Sequence, residues 1–290
     1  LLAFFGGALV HFAVSNAEAW MATKLAGPAT VFLPFNRGTD LGNGHTGAGN
    51  PPNPHGHPTA YLWERIWQRD TWLELLGRYM VLKRDAKGQP KTLVFPRYHQ
   101  WDATQKLQAA ILAEGPGAKY LVQHSAGSGK TMSIAWSAHF LANLHDAAQR
   151  KVFDSVLVVS DRTVIDSQLQ EEILAFESVR GVVATIRSEA GSKSGELAKA
   201  LGEGKKVVVC TIQTFPHALQ AVQELAATQG KRFAVIADEA HSSQTGEAAA
   251  KLKVLLSPEE LRELEDGGTV GAEDLLAAQM AARADTRGVS

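Results

Sequence analysis

Cysteine is almost missing from this chain of 290 residues: Cys210 is the only one. No disulfide can close within the chain, which favours a reducing, cytoplasmic setting, and the thiol ends the apolar run Val207-Val208-Val209, where it serves as a small buried core residue. Long apolar runs are missing too, since none reaches the roughly 18 residues of a membrane span. Leu1 to Val14, followed by Asn16-Ala17-Glu18-Ala19, has the outline of a signal peptide, but it has no basic leader and His11 interrupts it, so a chain cut upstream is the simpler expectation. Nor is there an excess of charge. With 29 Lys and Arg against 30 Asp and Glu, the net charge of −1 argues neither for nor against a nucleic-acid partner. The distribution is less even, because residues 258–290 hold 8 acids and 3 bases, which leaves +4 over residues 1–257. No internal repeat suggests a solenoid. A composition of 45% hydrophobic and 20% charged residues excludes intrinsic disorder, collagen and small disulfide scaffolds, and leaves room for one large domain or two modest ones.

Residues 9–14 and 19–25 read as two strand-like runs, with Val10, Phe12 and Val14 alternating with Leu9, His11 and Ala13. Residues 36–59 contain six Gly, four Pro, four Asn and three His, a composition that predicts a linker or surface loop. Its histidines His45, His55 and His57 lack a Cys or carboxylate cluster and read as solvated side chains. Tyr61 to Lys83 carries apolar residues at helical spacings and predicts an amphipathic helix whose tryptophans pack rather than stack on bases. Beyond residue 93, short apolar runs (Tyr120–His124, Val156–Ser160, Val182–Ile186, Val207–Thr211, Phe233–Ala237) alternate with helical segments (131–145, 164–176, 195–202, 216–228). That alternation predicts an α/β fold with a parallel sheet covered by helices on both faces.

The first of those runs leads into His124-Ser125-Ala126-Gly127-Ser128-Gly129-Lys130-Thr131 and then a helical pattern. A strand, a glycine-rich loop and a helix in that order form a phosphate loop: glycines let backbone N–H groups and the positive helix end approach an anion. Gly127, Ser128 and Gly129 would cradle ATP phosphates, Lys130 would reach the β- and γ-phosphates, and Thr131 would ligate Mg²⁺. His124 stands where the usual spacing has the first glycine. About a hundred residues later, Phe233–Ala237 delivers Asp238-Glu239-Ala240-His241. A carboxylate at the C-terminal end of a parallel strand is placed to hold Mg²⁺, a role that suits Asp238, while Glu239 can polarise the attacking water. The two motifs in this order point to NTP hydrolysis.

Asp238-Glu239-Ala240-His241 resembles the DEAH-type box of superfamily 2 helicases and translocases, and with the phosphate loop it looks like their first RecA-like lobe. The resemblance implies that Arg97 and Gln100, in Arg97-Tyr98-His99-Gln100, recognise adenine, and that His241 couples hydrolysis to movement. It also implies that Ser160 and Arg162 with Gln168, and Thr211 with Gln213, contact one DNA strand; as polar groups at strand ends they can donate hydrogen bonds to phosphate oxygens.

The likeness narrows. Leu33-Pro34-Phe35-Asn36-Arg37-Gly38, Tyr61-Leu62-Trp63-Glu64, Arg97 to Gln100, Val122 to Thr131 and Ser160-Asp161-Arg162 resemble, in that order, the motor subunit of type I restriction endonucleases, where a His before the phosphate-loop glycines is usual. The resemblance implies an ATP-dependent translocase on double-stranded DNA that works with specificity and methyltransferase subunits in the cytoplasm, away from membranes. It divides the chain into the trailing edge of a nuclease domain (1–38), a linker or loop (39–60), a helical connector (61–92) and a first RecA-like lobe (93–290). No convincing nuclease set of the D…ExK kind is found, Glu18 and Lys24 being too isolated, and nothing like a second lobe follows. The expectation is therefore a piece of the subunit with little ATPase of its own. The rival readings are another superfamily 2 remodeller or repair helicase, and a catalytically silent binding module; no Leu-Ser-Gly-Gly signature of an ABC-type ATPase occurs.

Overall fold

The computed structural model describes residues 4, 6–40, 46–85, 87–125, 127–160, 163–175, 183–185, 193–211, 222–225 and 229–238. They fall into two compact units, the first comprising Leu1–Phe140 with Glu172–Phe176 and the second Leu141–Glu171 with Glu177–Ser290.

In the first unit the two strand-like runs form β1 (His11–Val14) and β2 (Ala19–Ala22), paired antiparallel, with β3 (Leu33–Pro34) on the other side of β2. Ser15 makes the turn between β1 and β2, its hydroxyl accepting the N–H groups of Ala17 and Glu18 at 3.2 and 3.0 Å. The alternation of β2 buries Ala19 and Met21 and turns Trp20 outward. The Gly- and Pro-rich segment that follows includes a small hairpin of β4 (Thr39–Asp40) and β5 (Thr46–Gly47), and side-chain amides fasten it. The Asn36 carbonyl oxygen accepts from Ala19 N–H at 2.8 Å and from the Asn50 amide at 2.9 Å, and Asn50 also donates to Ala17 and accepts from Arg37 N–H. The composition is that of a loop, but the hydrogen bonds attach it to β2.

The single helix expected from Tyr61 to Lys83 is broken. Two wide helical turns, Leu62–Ile66 and Leu75–Tyr79, flank α1 (Arg69–Glu74), and Gln68 between the first turn and α1 is extended, with ψ 143°. The chain then enters β6 (Val81–Arg84), which pairs with β7 (Pro90–Val94). The reason lies downstream: the Asp85 carboxylate accepts the N–H groups of Lys87 and Gln89 at 2.9 Å, closing a hairpin that converts Val81-Leu82 from helix to strand. Next come α2 (Tyr98–Glu114) and α3 (Lys130–Ala142). The core is aromatic. Phe12 meets Phe35 and Trp67 edge-on at 5.4 and 5.5 Å, Tyr61 meets Tyr98 at 5.2 Å, and the Tyr79 ring lies 4.7 Å from Phe140. The Trp136 indole, fully buried on α3, donates to the Tyr79 carbonyl at 3.0 Å. Trp72 and Trp67 both pack on Phe12 as expected, Trp67 with one part of its surface exposed, whereas Trp63 is exposed.

One expected strand does not form. Residues 120–124 join no ladder among the described residues, and Tyr120, Leu121 and Val122 are exposed. Strand propensity expresses fit to a pleated, half-covered surface, and here Gly115 and Gly117, with φ +82° and +112°, redirect the chain out of α2 and the apolar side chains that follow stay exposed.

The second unit is built on a four-stranded parallel sheet in the order β11 (Phe233–Ala237), β8 (Ser155–Ser160), β10 (Val207–Thr211), β9 (Val183–Thr185). All six residues of β8 are buried, as a near-continuous apolar strand covered on both faces requires. The helices α4 (Thr163–Ala175) and α5 (Lys193–Gly202) match the predicted segments; most of 216–228 lies outside the described residues. The strand starts are fixed by polar contacts: the Ser155 hydroxyl donates to the Lys205 carbonyl at 2.7 Å, and Asp154 exchanges hydrogen bonds with the Arg232 backbone at 2.7 Å. The architecture is mixed α/β and compatible with a RecA-like lobe. The last residues of α4 count with the first unit, where Glu172 pairs with Lys83 and the Ile173 carbonyl accepts from His139 at 2.8 Å. Among the described residues no helix is long and apolar enough to cross a membrane.

Candidate active site

The glycine-rich loop lies in the first unit, between residue 124 and the start of α3. Gly127 and Gly129 have φ of +72° and +85°, the left-handed region where a side chain is strained. At Gly129 space is also taken: a Cβ there would lie 2.6 Å from the Gln100 amide nitrogen and 3.4 Å from the Arg97 guanidinium. These contacts come from the N-terminus of α2, where the Gln100 side chain caps the helix by accepting Arg97 N–H at 2.9 Å.

Three successive loop carbonyls turn toward that wall. Gly127 accepts from Arg97 at 3.1 Å, Ser128 from His99 at 3.0 Å, and Gly129 from Gln100 at 3.0 Å. In a trans peptide the carbonyl and the following N–H point in opposite directions, so the N–H groups of Gly129 and Lys130 face away from the wall. Both sit at the N-terminus of α3, where a helix cannot satisfy its leading N–H groups internally and where its dipole favours an anion. A loop with carbonyls on one side, amides on the other, a half-buried lysine and a threonine next to it fits the phosphates of a nucleotide with its Mg²⁺. Burial lowers the Arg97 guanidinium from its ordinary pKa. Burial also holds both nearby imidazoles below the usual range: His99 against the pull of the Ser128 carbonyl and with help from Arg97, His124 with help from His99, Lys130 and Arg97.

In the second unit, three predicted residues come side by side at the C-terminal rim of the sheet. Ser160 ends β8 opposite Thr211 at the end of β10, and Val159 pairs with Ala237, so that Asp238 follows on the other flank with its N–H donating to the Val159 carbonyl at 2.9 Å. Asp238 and Thr211 are half-buried, while the Ser160 hydroxyl is fully buried and has no hydrogen-bond partner among the described residues. Ligands of parallel α/β sheets bind at this rim.

The family model described as SWI2/SNF2 ATPase matches residues 99–261, from the second residue of α2 through the glycine loop and the whole sheet to beyond Asp238. That is more than half of the chain. The chain belongs to the SWI2/SNF2 ATPase family. A search of the curated proteins found no match. As a SWI2/SNF2 ATPase the protein is a superfamily 2 helicase-like enzyme, its ATPase domain implies use of ATP, and Mg²⁺ is the typical companion.

The structure of this SWI2/SNF2 ATPase gathers Arg97, Gln100, Gly127, Ser128 and Gly129 into one hydrogen-bonded group in the first unit, with Lys130 and Thr131 opening α3. It aligns Ser160, Thr211 and Asp238 in the second. Arg162, Gln213, Glu239 and His241 lie outside the described residues, and of Gln168 only its place on α4 is described. Gln100 has both ends of its amide engaged, with Arg97 N–H and the Gly129 carbonyl, so that it ties the helix cap to the loop. Sequence reasoning gave no role to His99. The available signal was its position between Arg97 and Gln100 in a segment already implicated in nucleotide contact.

Proposed function

We infer that the chain is the ATP-hydrolysing motor portion of a type I restriction endonuclease motor subunit, which moves along double-stranded DNA before cleavage. The observation that carries this reading beyond the family is the histidine before the glycines: His124 resembles that subunit's own variant of the loop and here contacts Ser128. Lys130 would bind the terminal phosphate oxygens, and the Thr131 hydroxyl and the Asp238 carboxylate would hold Mg²⁺, which when bound neutralises charge on those phosphates. Glu239 would take a proton from the attacking water, and His241 would couple turnover to movement. Ser160, Arg162, Gln168, Thr211 and Gln213 would grip backbone phosphates without reading sequence, so that affinity falls with salt. Recognition and methylation would belong to the specificity and methyltransferase partners, in the cytoplasm, and the stretch 1–38 would trail a nuclease domain.

The test is DNA-stimulated ATP hydrolysis together with displacement of a DNA triplex, with and without a modification complex. ATP-driven displacement that requires the partner subunits supports the reading. The family match favours a second reading, a remodeller or repair translocase with no nuclease, and displacement that is indifferent to those partners and never followed by cleavage would decide for it.

A further inference from the structure

Ser128 is held twice. Its carbonyl accepts from His99 Nε2 at 3.0 Å, and its hydroxyl lies 3.3 Å from His124 Nδ1, while the two imidazole rings meet edge-on with centroids 5.4 Å apart. Ser128 itself is buried, between the two glycines that give the loop its left-handed turns. We propose that His99 and His124 are a pair of positioning residues that hold Ser128 by its carbonyl and its hydroxyl, beside the bonds its backbone makes to Ser125 and Gln100, and thereby keep the Gly129 and Lys130 N–H groups turned toward a bound polyphosphate. The proposal rests on the reading of this loop as the ATP site.

The geometry sets the role of His99, which donates from Nε2 because a carbonyl can only accept. The His124 Nδ1 shares a hydrogen bond with the Ser128 hydroxyl, which can serve as donor or acceptor. Burial favours the neutral form of both rings, and the charged groups that face them, Arg97 for His99 and Lys130 with Arg97 for His124, are cations that act in the same direction. Without this grip the glycines would let the loop sample other turns, and phosphate binding would have to order it first. The pair never touches the reacting atoms; it acts through the loop.

The experiment titrates the whole chain with a fluorescent ATP analogue and, in competition, with inorganic tripolyphosphate, alongside thermal melts. His99→Leu and His124→Leu should each weaken both probes about 5- to 10-fold, the loss of one buried hydrogen bond, with the chain still folded at the temperature of the titration. His99→Gln, which keeps a donor near the Nε2 position, and His124→Asn, which keeps a polar atom near Nδ1, should restore most of the affinity. Ser128→Ala should cost as much as His124→Leu, and the two together no more than either alone. Where His124→Leu melts early, that cycle is run with His124→Ala against Ser128→Ala. Wild-type affinity in the leucine variants, or a loss that follows the melting temperature and is not rescued, overturns the proposal. A wild-type chain that binds neither probe removes the ATP-site reading itself, before any variant is made.

Discussion

The two units are held together by different materials. All six Trp, all four Tyr and eight of the eleven Phe fall within the first, which leaves the second only Phe153, Phe215 and Phe233. The first closes its core with rings set edge to face and with side chains capping turns; the second closes its core with Val, Leu and Ile on a regular parallel ladder. Rings and caps suit a unit whose chain changes direction often and must hold an irregular glycine loop in one shape. A parallel ladder suits a unit whose task is to bring strand ends into line, as it does for Asp238, Ser160 and Thr211. The division also runs through the candidate site: the glycine-rich loop belongs to the first unit and the acidic strand end to the second.

The sharpest test of that division compares Lys130→Ala with Glu239→Gln. The first should abolish nucleotide binding; the second should leave binding intact and slow turnover by about 10²-fold or more, as expected for a lost general base. Fluorescent-nucleotide titration beside single-turnover hydrolysis measures both, and equal losses of binding would erase the distinction. Next in size come the cores. Trp136→Ala should cost about 3–5 kcal/mol, since it opens a cavity and removes the donor to the Tyr79 carbonyl, and Leu157→Ala about 2–5 kcal/mol. Denaturant melts monitored by circular dichroism would show whether each change moves one transition or both. Asn50→Ala should cost about 1–2 kcal/mol and speed proteolysis within 36–59, because that amide fastens the segment to Ala17, Asn36 and Arg37.

The smallest effect is that of pH. Both His99 and His124 lie below the ordinary 6.5 in the folded chain, so folding favours their neutral forms. The unfolded chain then binds more protons, and the stability they contribute is full above about 6.5 and declines as pH falls through that value toward the folded pKa. The melting temperature should be lower at pH 5.5 than at 7.5, and a His99→Gln/His124→Asn double variant should show a smaller drop.

Much of the second unit could be read from the sequence because parallel strands buried on both faces leave near-continuous runs such as Val156–Ser160 and Val207–Thr211. Asp238 was legible for the same reason, its place being fixed by the strand before it. The first unit was less legible. The apolar spacing through Tyr61–Lys83 is truly helical for part of its length, but the Asp85 turn that makes Val81–Arg84 a strand acts from beyond the segment. Tyr120–Val122 has strand-forming residues with no described ladder to join. The amides of Asn36 and Asn50 reach across 14 residues to each other, and no local pattern announces such a bond. The glycine-rich loop was plain from its residues, whereas the hold of His99 on Ser128 spans 29 residues and has no local pattern.

The confinement of tryptophan to one unit gives the protein a built-in asymmetry of light. Indole emission from this chain can report only on the surroundings of the first unit, so a nucleotide-induced change in that signal would originate beside the glycine loop or its aromatic core. Far-ultraviolet dichroism sees the helices and strands of both units, so fluorescence and dichroism recorded together would tell whether the two units unfold as one.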